Sequence, residues 1–600
     1  MSPSNARSPS GLLVRAGQIA REFDFGSHDA RKVTAHFVEH MRNALEHENS
    51  LSQIPSYVRA IPTGREKGVF LAVDLGGTNC RVCSVKLHGD GTYSLVQTKY
   101  PIPRPLTVNP SYKPLFRFIA EKIRDFLEEH PEADIHNGDP GADLPHPRRE
   151  DFRKLGFTFS FTYEQHSLAK GSVMFWDKGW DIPEAIGRDP CEMLQEGLDE
   201  LEVPVLVVAL ANDSVGTLLT RAYTSSQDRT SARKMTTVGA IFGTGTNAAY
   251  VERLENIKRL HGRADFQTLQ PDDLMVINTE WGCFGDGQDG LLPSTEYDDL
   301  LDAASPHPRQ EMTEKRISGL YLGELLRLIV VRLADEKLFT MTLDPASPVF
   351  RKDGIESSLL SDIAADGSDN NSQSIAHIAG ALRADNVSAD DARAIQVISK
   401  AIARRAARLA GVALAAIIVQ CDQRRESPTS TASTPLLSSK SGAAVRVSQK
   451  PIFGGSKVTG SSSSSRSTYR SGLSAVCRRF RAFVYGVVRS LGLGWLLRPA
   501  MAANRKPAVV SPEPEPPQLS PSSSTMTEDE DKDGRAIEVG VDGSLIEFYP
   551  RFEQEMREAV EDVLGPDYDE KRLRIGMAKD GSGVGAALVA LAATMQNETA

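Results

Sequence analysis

Regular hydrophobic patterning begins at Ser27, where DARKVTAHFVEHMRNALEHE spaces its apolar residues three and four apart, the repeat of an amphipathic helix. The first 20 or so residues before it carry weaker patterning and read as loose. From Gly68 the run VFLAVDL has the continuous apolar character of a buried strand. It stops at Gly76-Gly77-Thr78-Asn79, and strand character resumes from Cys80 to Leu87, which predicts a hairpin around a glycine turn. A helix over Pro114–Glu129, a Pro- and Asp-rich loop from Pro131 to Arg149 and a strand from Leu155 to Phe161 follow. The strand VPVLVVAL, Val203–Leu210, then leads into Asn212-Asp213. Strands and helices alternate throughout, which predicts α/β layering.

The patterning breaks after Asp422. Residues 423–534 carry SPTSTASTP, SSSSSRS, SPEPEPPQLSP and EDEDKD, polar and Pro/Ser-rich stretches that bury too little apolar surface to offset the entropy of ordering, so a largely disordered insertion is expected. One stretch inside it differs. In Ala475–Leu497, Arg478, Arg481 and Arg489 fall within roughly 80° of a helical wheel at about 100° per residue, with Phe483, Val484, Val487, Leu491 and Trp495 elsewhere on it. That is a basic amphipathic segment, suited to a peripheral membrane contact or a protein partner. Globular patterning returns at AIEVGVDGSLIEFYPRF and ends with GMAKDGSGVGAALVALAA, and no internal repeat is visible.

Composition narrows the class of protein. Six hundred residues exceed any single small module, and a net charge of −10 with pI near 5.8 argues against a general polyanion binder, so no nucleic-acid partner is expected. Apolar content of 40% with 25% charged residues is ordinary for a soluble globular chain. The six cysteines are scattered, unlike a secreted disulfide framework, and MSPSNARSPSGLLVRAG lacks the basic-then-apolar pattern of a secretory signal. The expected location is the cytoplasm, with the nucleus or the surface of an organelle membrane as alternatives.

Asp74-Leu75-Gly76-Gly77-Thr78-Asn79 places a carboxylate at a strand end and two glycines in the turn, where backbone N–H groups can approach a phosphate closely. Gly243-Thr244-Gly245-Thr246-Asn247 repeats the design after the β-run TTVGAIF, and Asp580-Gly581-Ser582-Gly583-Val584-Gly585 opens an Ala-rich helix whose N-terminus favours an anion. Alone, each such turn is equally a tight hairpin or a helix start; together they suggest a nucleotide. None is a Walker A loop, and none has the dinucleotide GxGxxG. Asp213 falls at the carboxyl end of a strand, where a carboxylate can accept a hydroxyl proton or simply cap the following helix. Cys80 and Cys83, three apart on a strand, should face opposite sides, which speaks against redox or metal work. His166 and His307 read as surface residues.

These blocks resemble the eukaryotic hexokinase/glucokinase family. PSYVRAIPTGREKGVFLAVDLGGTNCRV, LGFTFSF, LANDSVGTL, IFGTGTNAAYVE, INTEWGCFGD, EKRISGLYLGELLRL, GVDGSLIEFYPRF and KDGSGVGAAL occur in the family's order, and without 423–534 the chain has the length of one fungal-type unit. The resemblance implies a two-lobed actin-like ATPase fold with a ribonuclease-H-like sheet in each lobe. It divides the chain into a flexible start (1–24), a small lobe with the N-terminal helix (25–211), a large lobe (212–422), the insertion (423–534), and a return to the large lobe with a C-terminal adenosine helix (535–600). It implies ATP-dependent phosphorylation of a hexose 6-hydroxyl with Asp213 as general base. Ser160, Asp177, Lys178, Asn212, Asn247, Glu280 and Glu314 would contact the sugar. Asp74, Gly76, Gly77, Thr78, Asn79 and Arg81 would face the phosphates, Gly243, Thr244, Gly245 and Thr246 the β/γ end, and Gly581, Ser582 and Gly583 the adenosine. Mg²⁺ would arrive with ATP, facing Asp74 through water, with no protein ligand of its own.

Two departures stand out. Where the family reads FSFP and WTKGF, this chain reads Phe159-Ser160-Phe161-Thr162 and Trp176-Asp177-Lys178-Gly179-Trp180, so a proline is lost and a sugar-binding threonine has become Asp177. The alternatives this raises are a hexokinase-like nutrient-sensing protein with weak or no catalysis, and an N-acetylglucosamine kinase.

Overall fold

The computed structural model describes residues 11–47, 52–130, 152–176, 180–225, 236–263, 266, 270, 273–368, 370–425, 536–568 and 572–598. The insertion from 426 on, its basic segment 475–497, and Asp177 and Lys178 lie outside them. Among the described residues the strands are β1 Ile54–Pro55, β2 Lys67–Leu75, β3 Asn79–His88, β4 Tyr93–Pro101, β5 Arg153–Phe159, β6 Thr162–Ser167, β7 Lys170–Phe175, β8 Val205–Ala211, β9 Thr236–Phe242, β10 Thr246–Arg253, β11 Leu274–Asn278, β12 Thr342–Leu343, β13 Ala384–Asp385, β14 Ile537–Asp542 and β15 Leu573–Met577.

Two large sheets carry the architecture, one ordered β4-β3-β2-β5-β8 and the other β1-β11-β10-β9-β14-β15. In the first, β3 lies antiparallel to β2 and β4, while β2, β5 and β8 run parallel. In the second, β10 lies antiparallel to β9 and β11, while β9, β14 and β15 run parallel. The two sheets share one topology although the sequence shows no repeat, and they are the pair of ribonuclease-H-like sheets that the resemblance implies.

The apolar run of β2 is continuous because both faces of its sheet are covered. Leu71, Val73 and Cys80 join one core with Phe116, Ile119 and Leu194 from the helices Lys113–Glu129 and Pro190–Glu200. Phe70, Ala72 and Cys83 join another, shared with Leu218 of the helix Asp213–Ser225 and Leu588 of the helix Gly581–Glu598. Cys80 and Cys83 thus face opposite sides, as their spacing predicts, and burial pushes both thiols well above the usual range.

The helices Asp213–Ser225 and Gly581–Glu598 each leave a strand end, β8 and β15, and pack against one another. Their contact is backbone on backbone. A Cβ on Gly585 would stand 2.1 Å from Gly216 Cα, and one on Gly216 would stand 2.5 Å from the Gly581 carbonyl oxygen. A Cβ on Gly156 of β5 would likewise lie 1.9 Å from the Ala586 carbonyl oxygen.

Three expectations are corrected. Residues 11–22, expected to be loose, form a helix that buries Leu12, Ala16 and Ile19 against the long helix Ala389–Arg425, and Phe23 behind it lies under the Arg405 guanidinium at 4.6 Å. Its stripe escaped the sequence reading because it is narrow, has alanine at one position and shares the helix with Gly11 and Gly17; burying its Leu and Ile is worth about 1.5–3 kcal/mol each. The helix Ser27–Glu46, grouped above with the small lobe, packs into the large-lobe core instead, with Phe37 and Met41 in that core and the Phe37 ring 4.1 Å from that of Phe284. The C-terminal helix, grouped with the large lobe, lies on β2, β5 and β8 of the small one.

Substitution Gly585→Ala should therefore cost at least about 3 kcal/mol, because neither backbone can yield independently. Gly380, in the helix Ser372–Leu382 with open space around it, is the control: Gly380→Ala should stabilise by about 0.5–1 kcal/mol through helix propensity alone. Urea midpoints of the two variants moving in the same direction would contradict the close crossing.

Candidate active site

Both sheets direct a glycine turn and a strand-end carboxylate into the space between them. At the end of β2 the turn folds so that Gly76 N–H donates to the Asn79 carbonyl (3.0 Å) and Ile102 N–H to the Thr78 carbonyl (3.0 Å), while the Trp180 indole N–H donates to the Gly77 carbonyl (2.8 Å). Among the described residues the N–H groups of Gly77 and Thr78 have no protein acceptor. The turn after β9 is built alike. Gly319 and Leu320 donate their N–H groups to the carbonyls of Gly243 (2.8 Å) and Thr244 (3.0 Å), and Gly243 N–H donates to the Gly245 carbonyl (2.9 Å). Here the N–H groups of Thr244 and Gly245 are the ones without a protein acceptor among the described residues. Carbonyls tied back and amides left over leave, twice, a concavity whose N–H groups can donate to an anion.

Asn212 and Asp213 close the end of β8. The Asn212 side-chain oxygen accepts from Ser214 N–H (2.9 Å) and Ser214 hydroxyl (2.6 Å), so the cap of the helix Asp213–Ser225 falls mainly to Asn212. Asp213 adds one oxygen to the same Ser214 N–H (2.8 Å) and remains half-exposed. Beside it runs an amide and carboxylate network. Asn247 Nδ2 reaches Asn278 Oδ1 (2.8 Å), Glu280 Oε1 (3.3 Å) and Asn212 Oδ1 (3.4 Å), and Asn278 Nδ2 donates to Glu280 Oε1 (2.7 Å).

The carboxylates of this cleft are held in unfavourable places. Burial pushes Glu280 up to about 6, against the donors Asn278 and Asn247, and the charges of Asp213 and Glu311 add to the rise. Its backbone sits in the left-handed region at φ 45°, a conformation uncommon outside glycine and found at functional sites. Glu314 rises further, to about 8, again through burial first and through Glu311 and Glu280 after it, although Thr246 N–H donates to its Oε2 (3.0 Å). Gly245 and Gly282 wall this carboxylate closely; a Cβ on either would come within 3.3 Å of it.

A third set of groups gathers at the start of the helix Gly581–Glu598. Ser582 hydroxyl donates to Asp74 Oδ2 (2.9 Å), Gly581 N–H donates to Asp542 Oδ2 (3.2 Å), and Arg81 lies 3.9 Å from Asp74. Burial raises the Asp542 carboxyl, and Asp580 and Glu547 reinforce it. Asp74 at the end of β2 and Asp542 at the end of β14 thus converge on adjacent residues. Such hard carboxylate oxygens fit Mg²⁺, which keeps several waters and binds through one or two carboxylates together with substrate phosphates. Among the described residues no three His, Cys, Asp or Glu side chains gather to hold a metal ion on their own.

Residues 15–223 of the chain match one family model described as hexokinase, and residues 237–445 and 521–592 match a second. The chain belongs to the hexokinase family. A glucokinase of Aspergillus niger is 36% identical over 98% of both chains, and Hexokinase-2 of Schizosaccharomyces pombe is 30% identical over 97% of both. The solved hexokinase of Schistosoma mansoni, complexed with glucose, superposes with a TM-score of 0.66 at 27% identity, covering 97% of this chain and 99% of that one. The fold of this hexokinase is accordingly the two-lobed actin-like ATPase fold. No helix among its described residues is long and apolar enough to cross a membrane.

Of the residues singled out from sequence, this hexokinase joins Asn212, Asn247 and Glu280 in one hydrogen-bond network and sets Asp213 and Glu314 close enough for their charges to act with that of Glu280, while Ser160 lies directly after β5. Gly76 to Arg81 and Gly243 to Thr246 form the two turns. Gly583 lies over Cys83, whose Sγ a Cβ there would meet at 3.0 Å. His307 is exposed, and His166 is half-buried with Nε2 2.8 Å from Ser172 Oγ. Asn278 and Asp542 escaped the sequence reading although both stood in blocks already singled out, INTEW and GVDGS. The available signal for Asp542 was a carboxylate ending an apolar run, the same signal that marked Asp74.

The raised pKa of Glu314 has a thermodynamic consequence. The folded protein holds this proton more tightly than the unfolded chain, so ionising the carboxyl costs stability as pH rises from about 4.5 towards about 8. Glu314→Gln keeps an acceptor for Thr246 N–H and removes that charge. Its Tm relative to the parent should be higher at pH 8 than at pH 5, as measured by calorimetry; a difference independent of pH would contradict the assignment.

Proposed function

We propose that this hexokinase transfers the γ-phosphoryl group of ATP to the 6-hydroxyl of a hexose, with Asp213 as the general base. The observation that carries this reading is the position of Asp213. It stands half-exposed at the head of its helix, beside the amide and carboxylate network, with a phosphate-type turn from each lobe nearby. Asn212, Asn247, Glu280 and Glu314, with Ser160 across the cleft, offer the mixed acceptors and donors that pair with ring hydroxyls. Lys178 and Asp177, which the family pattern adds to this set, bear on which sugar is preferred.

In the proposed reaction the 6-hydroxyl oxygen attacks the γ-phosphorus, the bond from that phosphorus to the β-bridging oxygen breaks, and the hydroxyl proton passes to the Asp213 carboxylate. The N–H groups of Gly77, Thr78, Thr244 and Gly245 bind phosphate oxygens and orient the triphosphate. Asp74 and Asp542 would face the Mg²⁺ that accompanies ATP, which would supply charge neutralisation of the phosphates. Walls from both lobes exclude water, the competing nucleophile.

Asp213→Ala should lower kcat by roughly 10²-fold or more while leaving the calorimetric affinity for sugar nearly unchanged. Turnover equal to the parent would remove Asp213 from the role of base. Coupled ADP release measured with glucose, fructose, mannose and N-acetylglucosamine identifies the preferred acceptor, and no release with any of them would overturn the kinase reading itself.

A further inference from the structure

We infer that Trp180 is a positioning residue for the nucleotide: its indole N–H, bound to the Gly77 carbonyl, aims the Thr78 N–H at the phosphates. The inference rests on the functional reading above and extends it to a residue outside the set assigned there to sugar or nucleotide.

The argument starts from the peptide plane. The Gly77 carbonyl and the Thr78 N–H belong to one trans peptide and point in opposite directions, so fixing the first fixes the second. Two consecutive glycines precede that N–H, and glycine offers little steric resistance to rotation of the plane. Some donor must therefore hold the carbonyl, and the Trp180 Nε1 does so at 2.8 Å.

The other lobe supplies the comparison. In the topologically equivalent turn after β9, the carbonyls of Gly243 and Thr244 are held by Gly319 and Leu320, whose N–H groups are left over at the start of the helix Gly319–Asp335. There the backbone provides the anchor. In the turn after β2 a side chain provides it.

Trp180 is itself firmly placed. It is 6% exposed, stacks on Trp176 with ring centroids 5.4 Å apart and planes 23° apart, and lies 4.5 Å from the ring of Phe161. Trp176 spends its own indole N–H elsewhere, on the Ile182 carbonyl at 2.9 Å. The family pattern WTKGF has phenylalanine where this chain has Trp180, and a phenylalanine ring fills such a site without any donor. The hydrogen bond to the phosphate turn thus depends on the Trp180 indole N–H.

Trp180→Phe keeps an aromatic ring and deletes the donor. Calorimetry with a non-hydrolysable ATP analogue and Mg²⁺, on the full chain saturated with its preferred sugar, should show nucleotide affinity weakened about 2- to 13-fold, the factor for one net neutral hydrogen bond. The KM for ATP should rise with it, while sugar affinity stays within twofold. Trp176→Phe, which deletes an indole bond that does not reach the turn, should leave nucleotide affinity unchanged even where it lowers Tm. Replacing Trp180 by benzothienylalanine, which has sulfur in place of N–H on the same ring outline, should reproduce the Phe result if the smaller ring impairs folding. Parent-like nucleotide affinity in both Trp180 variants would overturn the inference, as would an equal loss in Trp176→Phe. Failure of the parent to bind nucleotide would instead overturn the kinase reading.

Discussion

The constraint on which the rest of this hexokinase depends is the backbone crossing of two helices, at Gly216 on one and Gly585 on the other. Each helix starts at the carboxyl end of a parallel strand, one from each sheet, so the crossing fixes how the ends of β8 and β15 face one another. Asp213 lies three residues before one glycine and Ser582 three residues before the other. A larger residue at either glycine would separate the backbones, and with them the proposed base and the hydroxyl that holds Asp74. Glycine here serves close approach rather than unusual dihedral angles, since neither residue has a positive φ.

The electrostatics of the cleft follow from the same geometry. Glu280 and Glu314 are brought near Glu311, and Glu280 near Asp213, and neutral amides are the main compensation they receive. Such a network is costly to bury, and a ligand rich in hydroxyl donors would relieve it. The affinity of the proposed sugar would come in part from that relief, which is consistent with a site that carries amides and carboxylates and few apolar groups.

Much of this was legible from the chain alone where local pattern and tertiary role coincide. VFLAVDL followed by two glycines forms β2 and its turn, and Cys80 and Cys83 lie on opposite faces because a strand has a period of two. The reading failed where a residue's role is set by something distant in sequence. The stripe on residues 11–22 has meaning only against a helix almost four hundred residues later. Trp180 looked like one aromatic residue among several, because the carbonyl it holds is more than a hundred positions earlier. The duplicated topology was invisible because the two sheets share strand order and direction without sharing residues.

The order of strands also bears on how the chain can be built. β14, next to β9 within its sheet, and β15 beyond it are made only after the insertion, and the helix that covers β2, β5 and β8 comes later still. During synthesis from the N-terminus, the large-lobe sheet therefore exposes β9 as an unpaired edge and the small-lobe sheet exposes an apolar face, both until the final segment emerges. Neither lobe can complete its core first and shelter the other, so the interval of vulnerability to aggregation extends through translation of the whole insertion. The insertion at that point, polar apart from the stretch 475–497, lengthens the wait for both lobes.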